Sequence, residues 1–290
     1  MRLPERLQAL LGVPVCELDE VRGGGYSTAF RARAELADGR TAFVKMGAAE
    51  PTSSYLRLEG RFYESVSAPF MPVLLAFDGA DPPLLVLEDL GAGRWPPPWD
   101  EASIDAVRTT LAAVAATPPP AGLPRVEEDR ESLVGGWAMI ERDPDSFLSL
   151  RCCSSRWLEG SLPALQAAAE GARIEGDALL HLDVRSDNIC FAERGAVLVD
   201  WNWACVGNPR LDLAAWLPSL CLEGGPEPSE LLPDEPGFAA LLAGFFGARA
   251  GLPPPETAPH VRPLQEAQLG VALRWAAQAL ELPEPRPEPR

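Results

Sequence analysis

The stretch that most constrains this chain runs from His181 to Asp200. Two apolar runs, Ile189-Cys190-Phe191-Ala192 and Ala196-Val197-Leu198-Val199, are parted by Glu193-Arg194-Gly195, so the segment reads as a β-hairpin. A tight turn between antiparallel strands brings the residue before the first strand beside the residue after the second. Those residues are Asn188 and Asp200. Side by side they offer two oxygen ligands to one Mg²⁺, a hard octahedral ion that leaves most of its positions to water and phosphate. A two-ligand site of this kind implies a nucleotide. Asp183, on the same loop, is placed to accept the proton of a hydroxyl that attacks phosphorus.

A chain of 290 residues is long enough for one large domain or two lobes around a sizeable core. Its net charge of −17 argues against a nucleic-acid partner, because phosphate backbones need clustered Lys and Arg. The same charge suits a cationic small molecule, or serves only to keep an acidic surface in solution. No apolar run reaches the roughly 18 residues of a membrane span, and the N-terminus lacks the apolar core of a signal peptide. A cytoplasmic protein without a membrane partner is therefore expected. Six cysteines with no C-x-x-C pair, and only two histidines, make a zinc site a poor fit. Reduced, buried thiols are expected, with adjacent Cys152 and Cys153 the pair most open to oxidation.

Taken in order, residues 4 to 11 read as a short helix ending at Gly12, and an extended pattern begins at Val15. Gly23, Gly24 and Gly25, followed by Tyr26, Ser27 and Thr28, separate this strand from residues 29 to 34. Such a turn lets backbone amides approach phosphate oxygens, or is merely a turn. Asp38-Gly39 marks a hairpin turn, and the strand over residues 41 to 46 carries one Lys, Lys45, among apolar residues. A helix is expected over about residues 53 to 67, then strands over residues 71 to 77 and 84 to 87. Ser103 reads as the N-cap of a helix with apolar Ile104, Val107, Leu111 and Val114. Further helices are expected over 126 to 140, 162 to 172, 211 to 217, 238 to 250 and 262 to 280. The proline-rich residues 282–290 are expected to be disordered.

The spacing His181-x-Asp183-x-x-x-x-Asn188, followed by a hairpin and Asp200, resembles the catalytic loop and metal-binding Asp of the protein-kinase superfamily. More narrowly it resembles the aminoglycoside phosphotransferase family of small-molecule kinases. Gly207-x-Pro209-x-x-Asp212-Leu213-Ala214 is similar to a motif of the same family, with Asp212 in a structural role beside the catalytic loop. The absence of an activation loop and of Ala-Pro-Glu weighs against a protein kinase. The resemblance implies an α+β, bilobal protein-kinase-like fold with a β-rich lobe built on a five-stranded antiparallel sheet and a larger helical lobe. The boundaries expected are 1–88 for the nucleotide lobe, 89–281 for the helical lobe and 282–290 for the tail.

The resemblance also implies roles for individual residues. Asp183 would act as the catalytic carboxylate, with Asn188 and Asp200 holding Mg²⁺. Gly24, Gly25, Ser27 and Lys45 would meet the phosphates of ATP. Glu59, or failing it Glu64, would pair with Lys45, and backbone groups of Glu88 and Leu90 would hold the adenine edge. His181 would hold its loop by hydrogen bonds. Arg185 would either stabilise the γ-phosphate in flight or form a plain salt bridge to Asp187. The chain departs from the family pattern after Asp200, where it reads Trp201-Asn202-Trp203, with Asn202 in place of Glu or Gly. The acceptor is expected to be a small hydroxyl compound. Its pocket would lie near Trp201, Trp203, Trp216 and the acidic loop over residues 221 to 236, a setting that suits a cation unless the tryptophans are core. The alternative to an ATP-dependent small-molecule kinase is a catalytically weak nucleotide-binding pseudokinase.

Overall fold

Strand alternation decides which residues of the first half face which layer. In the computed structural model, which describes residues 2–21, 29–256 and 258–287, a sheet is built from β1 (Val15–Glu20), β2 (Phe30–Leu36), β3 (Thr41–Met46), β4 (Leu74–Asp78) and β5 (Leu84–Glu88). It has five antiparallel strands in the order β1-β2-β3-β5-β4. Successive side chains point to opposite faces of a strand. Accordingly Ala42, Val44, Leu84 and Val86 pack with Leu7 of α1 (Leu3–Leu11) in one apolar cluster. Leu85 and Leu87 join the opposite cluster with Leu56, Phe62 and Tyr63 of α2 (Thr52–Ser65). Lys45 is paired with Leu85 in the β3–β5 register and so stands on the α2 face.

The link after β5 is pinned to the second half of the molecule. Arg194 forks onto the Glu88 carboxylate at 2.8 and 2.6 Å, and Arg94 exchanges backbone hydrogen bonds with Phe191 at 3.0 and 2.8 Å. Helix α3 (Glu101–Ala116) follows. Its N-cap is Asp100, not Ser103, because the Asp100 carboxylate accepts from the Ser103 N–H at 2.7 Å. The expected helix over 126 to 140 is broken into a 3₁₀ turn (Val126–Asp129), α4 (Arg130–Val134) and α5 (Gly136–Arg142). Gly136 sits where the backbone of a later helix passes, and a Cβ there would lie 2.1 Å from the Gly244 carbonyl oxygen.

Helices α6 (Asp145–Ser149) and α7 (Ser155–Glu170) come next. Two small pairings then frame the loop of interest: β6 (Ala178–Leu180) with β9 (Cys205–Gly207), and the expected hairpin of β7 (Ile189–Ala192) and β8 (Gly195–Leu198). The β6–β9 pair was not anticipated, since three residues per strand leave too short a pattern to read. The chain ends in α8 (Arg210–Leu222), α9 (Pro228–Leu231), α10 (Pro236–Ala250) and α11 (Val261–Ala279). Helix α10 is apolar nearly all round and is the buried centre of this half, packed by α11, α7 and α5. No helix among the described residues is long and apolar enough to cross a membrane.

Two expectations need correction. Among the described residues of the proline-rich tail, 282–287, none is in a helix or strand, yet the first of them are held. The Leu282 N–H donates to the Ala277 carbonyl at 2.8 Å, and the Trp157 indole N–H donates to the Pro283 carbonyl at 2.7 Å. The thiols are all free, but Cys16 is exposed and Cys152 and Cys221 are only partly covered.

Candidate active site

The loop between β6 and β7 is held in place from beneath. Asp212, buried at the start of α8, accepts the backbone N–H of His181 at 2.8 Å and of Leu182 at 2.7 Å. Those two amides let the loop turn through Leu182, whose φ of +62° lies in the left-handed region that non-glycine residues seldom occupy. His181 is fully buried, its Nε2 2.9 Å from the Val199 carbonyl and its ring 4.5 Å from that of Trp201. Burial lowers its pKa, which keeps the ring neutral and suits a structural role.

On this loop Asn188 donates from Nδ2 to both the backbone carbonyl and the Oδ2 of Asp183, each at 2.9 Å. The hairpin sets Asn188 beside Asp200 as expected: Ile189 pairs with Leu198, and the Val199 N–H donates to the Asn188 carbonyl at 3.0 Å. Asp200 is itself left-handed, with φ +69° and ψ +57°. Its Oδ1 accepts from Lys45 Nζ at 2.8 Å, a contact between residues 155 positions apart.

Lys45 also donates to both carboxylate oxygens of Glu59, at 2.8 and 3.0 Å, so Glu59 and not Glu64 is its helix partner. Glu59 is only 2% exposed. One ammonium thus serves two carboxylates. Burial disfavours the Lys45 charge, but Asp200 and Glu59 together outweigh it and raise its pKa. The carboxylates divide the benefit unequally. Burial, reinforced by the Asp200 charge, pushes Glu59 up to about 7 against the pull of Lys45. For Asp200, Lys45 overcomes burial and lowers the pKa. Asp183 is raised, chiefly by burial and further by Asp200, with Arg185 opposing.

Arg185 Nη2 lies 3.2 Å from Asp187 and 3.4 Å from Asp183, so it bridges both carboxylates of its loop. Glu88 uses its N–H on the Val73 carbonyl, which leaves only its own carbonyl for a ligand edge. Beside it Leu90, Cys190 and Val197 form a small apolar cluster between link and hairpin. Gly24, Gly25 and Ser27 lie outside the described residues.

The donor set fits the expected metal. Among the described residues no hydrogen bond engages Asn188 Oδ1 or Asp200 Oδ2, so each keeps a hard oxygen donor at neighbouring positions. Asn202, where the sequence departs from its resemblance, lies in the 3₁₀ turn Trp201–Trp203, and its Oδ1 is buried with no partner among the described residues.

Of the residues expected around an acceptor, Trp201 and Trp203 line a cavity beside the loop, while Trp216 and residues 221 to 236 do not. A cavity of about 1050 Å³ opens beside Asp183 and Asp200, walled by α2, the loop around residues 120 to 126, α10 and α11. The acidic loop over residues 221 to 236 is not among its walls: Glu223 instead hydrogen-bonds Trp99 Nε1 at 2.7 Å and Ser186 Oγ at 2.5 Å. Trp216 is fully buried, packed edge-on against Trp99, and Trp201 is stacked on Phe62 at 4.8 Å. Trp201 and Trp203 both line the cavity, but of the three tryptophans Trp203, 48% exposed and 5.4 Å from Tyr55, is the one open to solvent. Type suggested all three; only tertiary packing separates rim from core.

Residues 20–250 match the model of the phosphotransferase enzyme family. No curated protein matches the sequence. Among solved structures, a thermostable mutant of the aminoglycoside phosphotransferase APH(4)-Ia, in a ternary complex with AMP-PNP and hygromycin B, superposes with a TM-score of 0.61 at 15% identity, covering 96% of this chain and 99% of that one. A choline/ethanolamine kinase family protein from Mesorhizobium loti gives 0.62 at 13% identity, with 91% of each chain covered. Spectinomycin phosphotransferase APH(9)-Ia with ADP and spectinomycin gives 0.59 at 12% identity, covering 97% of this chain and 98% of that one. At these identities the likeness is one of fold, the bilobal protein-kinase-like arrangement.

Proposed function

This chain belongs to the phosphotransferase enzyme family, and from that premise we propose that it transfers the γ-phosphate of ATP, with Mg²⁺, to a hydroxyl group of a small molecule. The observation that carries the reading is the Lys45 ammonium between Glu59 and Asp200, with Asp200 across one hairpin from the Asn188 that holds Asp183. One protein of the same fold was solved with AMP-PNP and hygromycin B together and another with ADP and spectinomycin, which supports the two-substrate form of the reaction.

Phosphoryl transfer asks a protein mainly for positioning and for neutralisation of charge. Lys45 supplies a fixed cation from the sheet, kept charged by its two carboxylates. Asn188 Oδ1 and Asp200 Oδ2 would hold Mg²⁺, which when bound neutralises charge on the β- and γ-phosphates. Asp183 accepts the proton of the acceptor hydroxyl, and the rise in its pKa on burial makes it a better proton acceptor than a solvated Asp. Asn188 fixes the orientation of that carboxylate. Arg185, bridging Asp183 and Asp187, supports the loop and stabilises charge on the group in flight. The Glu88 carbonyl and the Leu90 N–H would hold the adenine edge, with Leu90, Cys190 and Val197 offering an apolar surface beside the link.

The test is transfer of labelled phosphate from Mg·ATP to a panel of sugars, alcohols and amino alcohols. Turnover of at least one acceptor that is lost in Asp200→Ala supports the reading. Nucleotide binding without turnover, unchanged by that substitution, would sink it.

A further inference from the structure

The chain carries 42 acidic against 25 basic residues, so an average patch of its surface is strongly negative. The cavity beside Asp183 is not an average patch. Its ionisable walls are Arg61, Arg125, Arg185 and Arg249 against Glu64, Asp129, Asp183 and Asp200. Asp183 is already bridged by Arg185 and Asp200 by Lys45, so Glu64 and Asp129 are the carboxylates left to meet a ligand. Arg61 and Arg249 have no carboxylate within ion-pair distance among the described residues. Arg249 is held by neutral groups, donating to the Phe245 and Ser132 carbonyls at 3.0 and 2.9 Å and lying 3.9 Å over the Phe245 ring. The uncharged lining is largely apolar: Tyr55, Leu58, Trp203, Phe245 and Leu264 face the cavity, with Leu58 and Trp203 among the most exposed large apolar side chains of the molecule.

A polycationic acceptor needs several carboxylates free to face it, because each unpaired like charge at close range in a partly dry site opposes binding. This cavity offers few, one of which, Asp129, already acts on Arg249, and it sets among them two arginines with no carboxylate in ion-pair contact among the described residues. We propose that the acceptor is an apolar hydroxyl compound carrying no cationic group, its hydrocarbon body against Tyr55, Trp203 and Phe245 and any polar or anionic edge toward Arg61 and Arg249. The proposal rests on the kinase reading for the identity of the cavity as the acceptor site. It runs against the cationic acceptor that the acidic composition suggested, and the reason is placement: no residue of the acidic loop over 221 to 236 lines the cavity, Glu223 being engaged by Trp99 and Ser186, Glu230 by the Glu227 N–H and Glu235 by Arg210.

The experiment is a fluorescence titration of the full chain, with Trp203→Phe as the control that assigns the signal to the cavity. The probes are para-substituted benzyl alcohols bearing a tert-butyl, a carboxylate or an aminomethyl group, together with the polycation kanamycin. The tert-butyl and carboxylate probes are expected to bind about tenfold or more tighter than the aminomethyl probe and kanamycin. Arg61→Glu should narrow that gap. An aminomethyl probe or kanamycin that binds best, or no probe that perturbs Trp203, overturns the proposal. Asp183→Asn keeps the kinase reading separate: phosphate transfer should vanish while the order of affinities stays. The same order in a wild-type chain that transfers no phosphate would count against the kinase alone.

Discussion

At the scale of single residues, the buried triangle of Lys45, Glu59 and Asp200 makes the sharpest predictions. Removing one partner of a buried ion pair leaves a charge uncompensated, at a cost of about 3–5 kcal/mol. Lys45→Met should therefore destabilise the protein strongly in urea denaturation, and Glu59→Gln added to it should restore much of the loss without restoring activity. The pH dependence has a defined sign. Glu59 has a folded-state pKa raised to about 7 from its ordinary 4.5, so its contribution to stability is full below about pH 4.5 and is lost as pH rises through 7. Wild type should lose stability relative to Glu59→Gln between pH 5 and pH 8, on the order of 1–3 kcal/mol. A flat difference between the two over that range would contradict the assignment. In kinetics, Asp183→Asn should cut kcat by roughly 10²- to 10⁴-fold with nucleotide affinity nearly unchanged. Arg185→Ala should lower kcat by more than about twofold; a smaller effect would reduce Arg185 to a support of its loop.

At the scale of elements, the same substitution should have opposite signs at two helical glycines. Gly160 lies in α7 with nothing within 4 Å of an added Cβ, so Gly160→Ala should stabilise by about 1 kcal/mol through helix propensity. Gly136 meets the α10 backbone, which cannot step aside, so Gly136→Ala should cost about 1–3 kcal/mol or more, read as a fall in thermal midpoint. Elements were legible in the sequence where period and punctuation agreed. The hairpin after Asn188, the Asp38-Gly39 turn and the strand bearing Lys45 came out as expected because each carries its own local signal. Ser103 was misread as a cap because Asp100, Glu101 and Ser103 all suit a helix start, and only the carboxylate geometry selects among them. The helix over 126 to 140 broke because Gly135 and Gly136 interrupt it, a breaker signal that apolar spacing outweighed.

At the scale of the whole molecule, the two halves meet through side chains far apart in sequence, and that is where reading the sequence reached its limit. The resemblance carried by the order of motifs predicts Lys45, Glu59, Asp183, Asn188 and Asp200 together, and Lys45 does contact Glu59 and Asp200 while Asn188 contacts Asp183. The cavity beside Asp183 has no such pattern: beyond the loop and turn that carry Asp183 and Asp200, its walls come from α2, one connecting loop and the last two long helices, brought together by packing. A ligand that binds across the cleft should couple the halves. Mg·ATP at about a hundred times its Kd should add about 2.7 kcal/mol to the stability, visible as a raised thermal midpoint, and Asp200→Asn should abolish most of the rise.

An ammonium group has three protons to give. In Lys45 all three are spoken for, two by Glu59 and one by Asp200. An arriving phosphate therefore cannot simply add itself to this lysine; it must displace a resident, and the affinity it gains is the difference between two attachments. Glu59 and Asp200 are competitors for the guest of their own cleft.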